Sequence, residues 1–508
     1  MKKLTALLLA LVMLLSLTAC GAKVDAPATE AATAPAPAPD EATAAPAANN
    51  GLDPNEKVTL HLYGTANFID VGAEGTIDLV SGVEMPGYNE LIAAWNEKYP
   101  NVEVVVETCP WDNWITSIQT AVLSGGVDII LHGATLTELC EPLDPYLQRD
   151  SEYADKLFAT ENRRFGDLSK TMVSGIQYVI EPSIAYVDMD ILDHYGVEAP
   201  TADWTWEDLI KIAEACTGTD PVTGEETYGV QLCYTHTANI FQNYYQLAMA
   251  YGAKPITYGA TAAESTIDFT DPALPRVFAD IERLAACCAP NVREGANVVA
   301  DLTPDNNAAI RWRTLAYDQY RKIAAADIED RFLFLPLPVV EAGDMAGSQS
   351  TYFGSYNMAI ANNSQNKEWA WEFIKWMTTD PAAVEWTVAT GGIPNCEYGM
   401  ELLEGKMGEK AAAPMQVLKS MPEGFCNTTN AWYDNVNFGT FSTSLVTVLK
   451  DLVYGTTNAE QALAAWEAAT NEYMASIKSF SRKARLWGGD ESPHPDDKRA
   501  CACHRLII

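Results

Sequence analysis

Basic side chains are scarce in this chain: 33 Lys and Arg stand against 68 Asp and Glu, for a formal net charge of −35. A body so poor in positive charge repels phosphate backbones and anionic lipid, which argues against nucleic acid as a partner; the acidity is read as solubility. Past the first fifteen residues no apolar run is long enough to span a bilayer. Through most of the chain the 11 cysteines lack the paired spacing of a zinc or redox site. Cys287 and Cys288 fall in an Ala-rich helical stretch suited to small buried thiols. Cys109 and Cys140 could bridge in an oxidising compartment, and sequence alone does not pair them. There is no GxSxG, no HExxH, no phosphate loop and no repeat of fixed period. Neither a cofactor nor a metal is expected.

What is present begins with a leader. Lys2 and Lys3 precede an apolar stretch from Leu4 to Leu15, the pattern of an export signal. The residues Leu17-Thr18-Ala19-Cys20 resemble a bacterial lipobox, in which the cysteine thiol receives a diacylglycerol and the leader is removed. That resemblance implies a signal peptide over 1–19 and acylation, palmitate being one such chain, at Cys20. Two or more acyl chains anchor stably where one does not. An ordinary secretory signal with a chance cysteine is the plainer alternative. Residues 22–56 are nearly all Ala, Pro, Thr, Glu and Asp, with no periodic apolar face, and read as a flexible tether within the segment 20–57. The expected location is extracytoplasmic, lipid-anchored to the bacterial cell membrane.

The body then alternates. Val58, Leu60 and Leu62 share one face of a strand, and a long loop rich in Gly and acidic residues follows. Tyr88, Leu91, Ile92, Trp95 and Tyr99 recur at helical spacing, Val102, Val104 and Val106 form the next strand, and Trp114, Ile118, Ala121 and Val122 a second helix. Gly125-Gly126 stops it before a short buried strand, Val127 to Leu131. This order predicts a parallel sheet covered on both faces. Thr205 with Asp208 forms a capping box, Asp380-Pro381 is a further helix start, and Asn458 with Gln461 opens a last long helix.

Several segments together resemble the large sugar-binding family of extracellular solute-binding proteins that feed ATP-driven (ABC) importers. They are Tyr99-Pro100-Asn101-Val102-Glu103-Val104; Ser124-Gly125-Gly126-Val127-Asp128-Ile129, an SGxxPD-type turn without its proline; Tyr186 to Leu192 followed by Tyr195-Gly196-Val197 and Thr205-Trp206-Glu207-Asp208-Leu209; and Trp369 to Trp386 with Gly391-Gly392-Ile393-Pro394. They occur in family order across residues 58–478. The resemblance implies an α/β, two-lobe periplasmic-binding-protein-like (type II) fold with a hinge and a central ligand cleft. One lobe holds 58–180 plus 339–395, the other 181–338 plus 396–478, with crossings near Tyr178 to Pro182 and Phe334 to Pro338. A tail, 479–508, turns basic and Pro/Gly-rich and ends in Cys501-Ala502-Cys503-His504, read as a disordered extension rather than a metal site. The implied partners are a small carbohydrate, ABC permease subunits and the membrane through the lipid, with the protein itself a monomer.

In such sheets ligands sit beyond the carboxyl ends of the strands. The candidates there are Asn67 and Asp70 after the first strand, Trp111 and Asp112 after the second, and His132 after the third. Tyr317 and Asp318 follow the strand-like stretch Ala309 to Trp312, and Tyr352, Tyr356, Trp432, Tyr433 and Asp434 complete the set. Aromatic faces suit the C–H face of a pyranose, and fixed amides and carboxylates suit its hydroxyls. Resemblance places His132 and Tyr317 where relatives carry aromatic contacts. Trp114, Trp206, Trp369, Trp376, Trp386 and Trp466 sit at helical positions and read as packing. Rival readings keep the fold but bind a peptide, polyamine or other solute, or make the chain a sensor. A glycoside hydrolase would need two carboxylates, the nearest pair being Asp188 and Asp190, placed here on one face of a strand.

Overall fold

The computed structural model describes residues 52–419 and 438–487 apart from short breaks at 79–81, 112, 135, 159–160, 165–170, 233–236, 258–265, 291–301, 315, 344–345 and 350–352. Cys20 and its leader, most of the tether, and Cys501 to His504 lie outside the described residues.

Two sheets carry the body. The first contains strands β1 (Val58–Gly64), β2 (Val102–Thr108), β3 (Ile129–Leu131), β4 (Glu161–Arg164), β5 (Thr171–Pro182) and, from much later in the chain, β11 (Phe353–Ile360), in the order β2-β1-β3-β11-β5-β4. β1 runs parallel to both β2 and β3, so the expected parallel sheet exists over these three strands. It stops there, because β11 and β5 return antiparallel. Alternation in β1 buries Val58, Leu60 and Leu62. Helix α2 (Tyr88–Lys98) covers them with Leu91 and Trp95, and Trp95 Nε1 donates to the Val102 carbonyl at 3.3 Å. Trp369, Trp376 and Trp386 are buried in the same layer. Asp128 acts as a buried clasp: it accepts from the His61 amide at 3.0 Å and from Ser364 Oγ at 2.6 Å, tying strand to strand and to the turn before the helix Lys367–Thr379.

The second sheet contains β6 (Ile184–Asp188), β7 (Gly218–Thr219), β8 (Glu226–Gln231), β9 (Ala308–Arg313) and β10 (Phe332–Pro336), in the order β10-β6-β9-β8-β7. Its core includes Trp206 and Trp466, both fully buried. The capping box forms as read, Thr205 Oγ1 accepting from the Asp208 amide and the Asp208 carboxylate from the Thr205 amide. The last helix, Ala459–Trp487, opens on Asn458, whose side chain accepts from the Gln461 amide at 2.9 Å. That helix continues past 478 through nine residues of the basic stretch, because the first Gly and Pro breakers come only after Trp487.

Asp188 and Asp190 are corrected. Only Asp188 ends a strand; it caps the helix Met189–Tyr195, in whose first turn Asp190 lies. Asp188 is wholly buried and locked by Arg331 Nη2 at 2.7 Å and Asn306 Nδ2 at 2.6 Å. A carboxylate so occupied cannot serve a sugar ring, and this removes the pair on which the hydrolase reading rested.

The chain passes from the first sheet to the second across the single residue Ser183, and returns between Pro336 and Phe353. A third passage follows the helix Pro381–Ala389. There the Ile180 amide donates to the Ile393 carbonyl at 2.8 Å, and Asn395 Nδ2 donates to the Gln177 carbonyl at 2.9 Å. After it, helices Phe438–Val453 and Ala459–Trp487 pack on Leu274–Ala286 of the second lobe. Chain segments that cross between two bodies several times restrict them to hinging.

Candidate functional site

The carboxyl ends of β1, β2 and β3 converge, and the backbone there is strained. Four non-glycine residues among those described have positive φ, and three sit just beyond these strands: Ala66 at 71°, Asn113 at 64° and His132 at 59°. Such conformations persist where the surroundings over-determine them. Gly64 shows how tight the junction is, since a Cβ there would lie 2.2 Å from the Leu131 carbonyl oxygen of β3.

The loop expected after β1 instead winds into a short helix, α1 (Asn67–Val71). Its anchor is Phe68, fully buried, with its ring centroid 5.3 Å from Trp386 and 6.1 Å from Tyr178. This local burial outweighs the polar composition that reads as loop. Asn67 is buried and faces inward: its Nδ2 donates to Thr390 Oγ1 at 2.9 Å, and its Oδ1 accepts from the Tyr178 hydroxyl. Asn67 therefore positions Tyr178.

Asp70 faces outward and accepts from Trp111 Nε1 at 3.2 Å. Around that pair the rings gather. Trp111 lies 5.4 Å from His132 and 6.1 Å from Tyr356; His132 lies 5.6 Å from Tyr356, edge to face; Tyr178 lies 6.4 Å from Tyr356. Trp114, the first residue of the helix Trp114–Ser124, backs the imidazole at 5.2 Å. Trp111 is 37% exposed, unusual for an indole held by so many neighbours.

Across from these rings stands a helix of the second lobe, α3 (Ala316–Ala325). Its Asp318 accepts from Arg321 Nη2 at 2.6 Å and pairs with Lys322 Nζ at 2.9 Å. The same two cations reach the first lobe. Arg321 donates to the Ala389 carbonyl at 3.0 Å, and Lys322 lies 3.5 Å from Asp78.

Electrostatics binds the two sides into one site. Glu181, near the end of β5 and 4% exposed, is pushed up to about 8. Burial is the main cause, with repulsion from Asp318 and Asp70 adding to it and Arg313 and Thr314 opposing. Burial likewise raises the carboxyl of Asp70, with Asp318 adding, although the Asp70 surface is open to solvent. A group that water reaches while protein surrounds it lies on the wall of a crevice.

Residues 80–384 match the family model of bacterial extracellular solute-binding proteins. The chain belongs to that family. No curated protein matches it in sequence. Among solved structures it is similar to an ABC transporter solute-binding protein from Agrobacterium radiobacter K84 in complex with ribitol, with a TM-score of 0.59 and 15% identity, covering 84% of this chain and 100% of that one. An ABC substrate-binding protein of Listeria monocytogenes in complex with cycloalternan gives 0.52 at 17% identity, covering 83% and 100%. The maltose-bound MalE3 of T. maritima gives 0.57 at 13%, covering 83% and 100%. The fold is the two-lobe periplasmic-binding-protein-like fold.

Within this solute-binding protein the structure brings together Asp70, Trp111, His132, Tyr356 and Asp318, with Asn67 behind them. Tyr317 is elsewhere: its ring is buried in the core with Phe334 and Leu403. Asp112, Tyr352, Trp432, Tyr433 and Asp434 lie outside the described residues. Sequence reasoning missed Tyr178 and Glu181. Glu181 carried a signal, a lone carboxylate closing the largely apolar run from Met172 to Ile180.

Proposed function

We propose that this solute-binding protein captures a sugar, polyol or oligosaccharide by closing its lobes on it. The single observation that carries the reading is the crevice of rings and carboxyls at the ends of β1, β2, β3 and β5, faced by α3 of the other lobe. Rings pack on the C–H faces of a sugar while carboxylates and amides take its hydroxyls. Structures of similar fold solved with ribitol, cycloalternan and maltose support that choice of solute class. A solute stabilises the closed state only through contacts with both lobes; Asp70 and Trp111 lie on one side and Asp318 on the other.

In this reading the closed form is handed to an ABC permease, and Leu17-Thr18-Ala19-Cys20 supports lipid anchoring at Cys20 outside the membrane. Thermal-shift screening against mono- and oligosaccharides and polyols is the direct test, because a tight ligand raises the melting temperature by mass action. At least one carbohydrate should raise it and also reduce the radius of gyration in solution scattering. A panel without any such carbohydrate defeats the proposal. Labelled palmitate should enter the wild-type chain in a bacterial host and not Cys20→Ala.

A further inference from the structure

One buried residue holds both ends of the strained turn that carries His132. β11 pairs with β3 as far as Met358 and Leu131. The next rung is still backbone, the His132 amide donating to the Asn357 carbonyl at 2.7 Å. His132 then turns left-handed at φ 59°, and beyond it the Ala134 amide donates to Asn357 Oδ1 at 2.9 Å. The side chain thus takes over the ladder where the backbone leaves it. Ser174 of β5 grips the other side of the turn, its Oγ donating to the Ala134 carbonyl at 2.7 Å. The fit is close, since a Cβ at Gly175 would lie 2.6 Å from the Ala134 Cβ. Asn357, Ser174 and Ala134 are all buried.

Asn357 also sits at a break in register. Tyr356 pairs with Val179 and Asn357 with Gln177, so β5 carries one extra residue, Tyr178, at this point. A bulge of this kind bends its strand and re-aims side chains. The Tyr356 ring here stands 5.6 Å from His132 and 6.1 Å from Trp111. A left-handed residue other than glycine is costly, and it persists only where its surroundings fix it. What is fixed at His132 is an imidazole 5.4 Å from Trp111 and 5.2 Å from Trp114.

We propose that Asn357, with Ser174 beside it, is a positioning residue for solute capture: the two side chains clamp the turn His132–Ala134 and so set the imidazole among the crevice rings before any solute arrives. The inference rests on the reading of the crevice as the solute site. It adds that the ring wall of the first lobe is preformed, so that its ordering is not charged against binding.

The test reads the histidine imidazole signals of the purified, unliganded full chain by proton–carbon NMR, with His132→Gln identifying the signal of interest. Packed beside two indoles and a phenol, that imidazole should resonate away from exposed histidines. Asn357→Leu, close in size but without the acceptor, should move the signal towards the position of an exposed histidine. Asn357→Asp keeps an acceptor for the Ala134 amide and should leave it near the wild-type position. Ser174→Ala, which removes only the hydroxyl on the Ala134 carbonyl, should move it the same way as Asn357→Leu and by less. A signal unmoved by Asn357→Leu overturns the proposal, as does one moved as far by Asn357→Asp as by Asn357→Leu. Where Asn357→Leu does not fold, Ser174→Ala decides, and an unmoved signal there overturns it equally. A screen that yields no carbohydrate defeats the reading of the crevice and leaves these signals where they are, so the two failures are told apart.

Discussion

Trp111 combines exposure with fixed geometry: one edge is bonded to Asp70, and the ring stands beside His132 and Tyr356. Trp111→Ala should weaken carbohydrate binding by about 1–3 kcal/mol, the scale of a lost aromatic anchor, with little change in the melting temperature of the unliganded protein. Calorimetry with any sugar that the screen identifies checks this. Glu181 makes a prediction of a different kind. Its folded carboxyl holds its proton up to about 8, well above its ordinary value of 4.5. The sign follows from linkage: the folded state binds more protons than the unfolded one between those values, so the stability that this group contributes is complete below about 4.5 and is lost as pH rises through about 8. Glu181→Gln should flatten that loss, a difference on the order of a few kcal/mol, measured as urea midpoints of the two proteins at about pH 5 and about pH 9. Asp70 and Trp111 were legible as residues at strand ends, where position alone marks them. For Tyr317, sequence shows that a tyrosine follows a strand and not that it is buried within a hydrophobic cluster.

Helices and strands were read best where one local rule decided them. The Asp380 cap is an example: its side chain accepts from the Ala382 amide, with Pro381 at the first helical position. Asp380→Ala should cost about 1 kcal/mol, checked by denaturant unfolding; the exposed Lys98–Asp380 pair adds little. α1 defeated local reading, since its stability comes from Phe68 reaching Trp386, more than three hundred residues away. The antiparallel half of the first sheet was hidden for the same reason, β11 being supplied from far along the chain. A close approach between elements also escapes composition. A Cβ at Gly229 in β8 would fall 1.7 Å from the Ala213 carbonyl oxygen of the helix Trp206–Ala215. Gly229→Ala should therefore destabilise by about 1–3 kcal/mol or more, the cost of overpacking, visible as a lowered melting temperature.

At the scale of the whole molecule, α3 touches the opposite lobe through cations, Arg321 to Ala389 and Met85 and Lys322 to Asp78. Removing both cations, as Arg321→Met with Lys322→Met, should enlarge the radius of gyration of the unliganded protein in solution scattering. An unchanged profile would show that these contacts do not set the lobe angle.

The interleaving of the lobes also governs the order in which a growing polypeptide can become native. Trp466 fills the middle of the second core, its ring 5.0 Å from Phe269 and 5.8 Å from Tyr244, while the first core waits for β11 and Trp386. A nascent chain stalled before residue 353 has neither half finished, and one stalled before 466 still lacks the plug of the second. Consolidation is thus postponed to the end of synthesis, a timing compatible with an extracytoplasmic place of work.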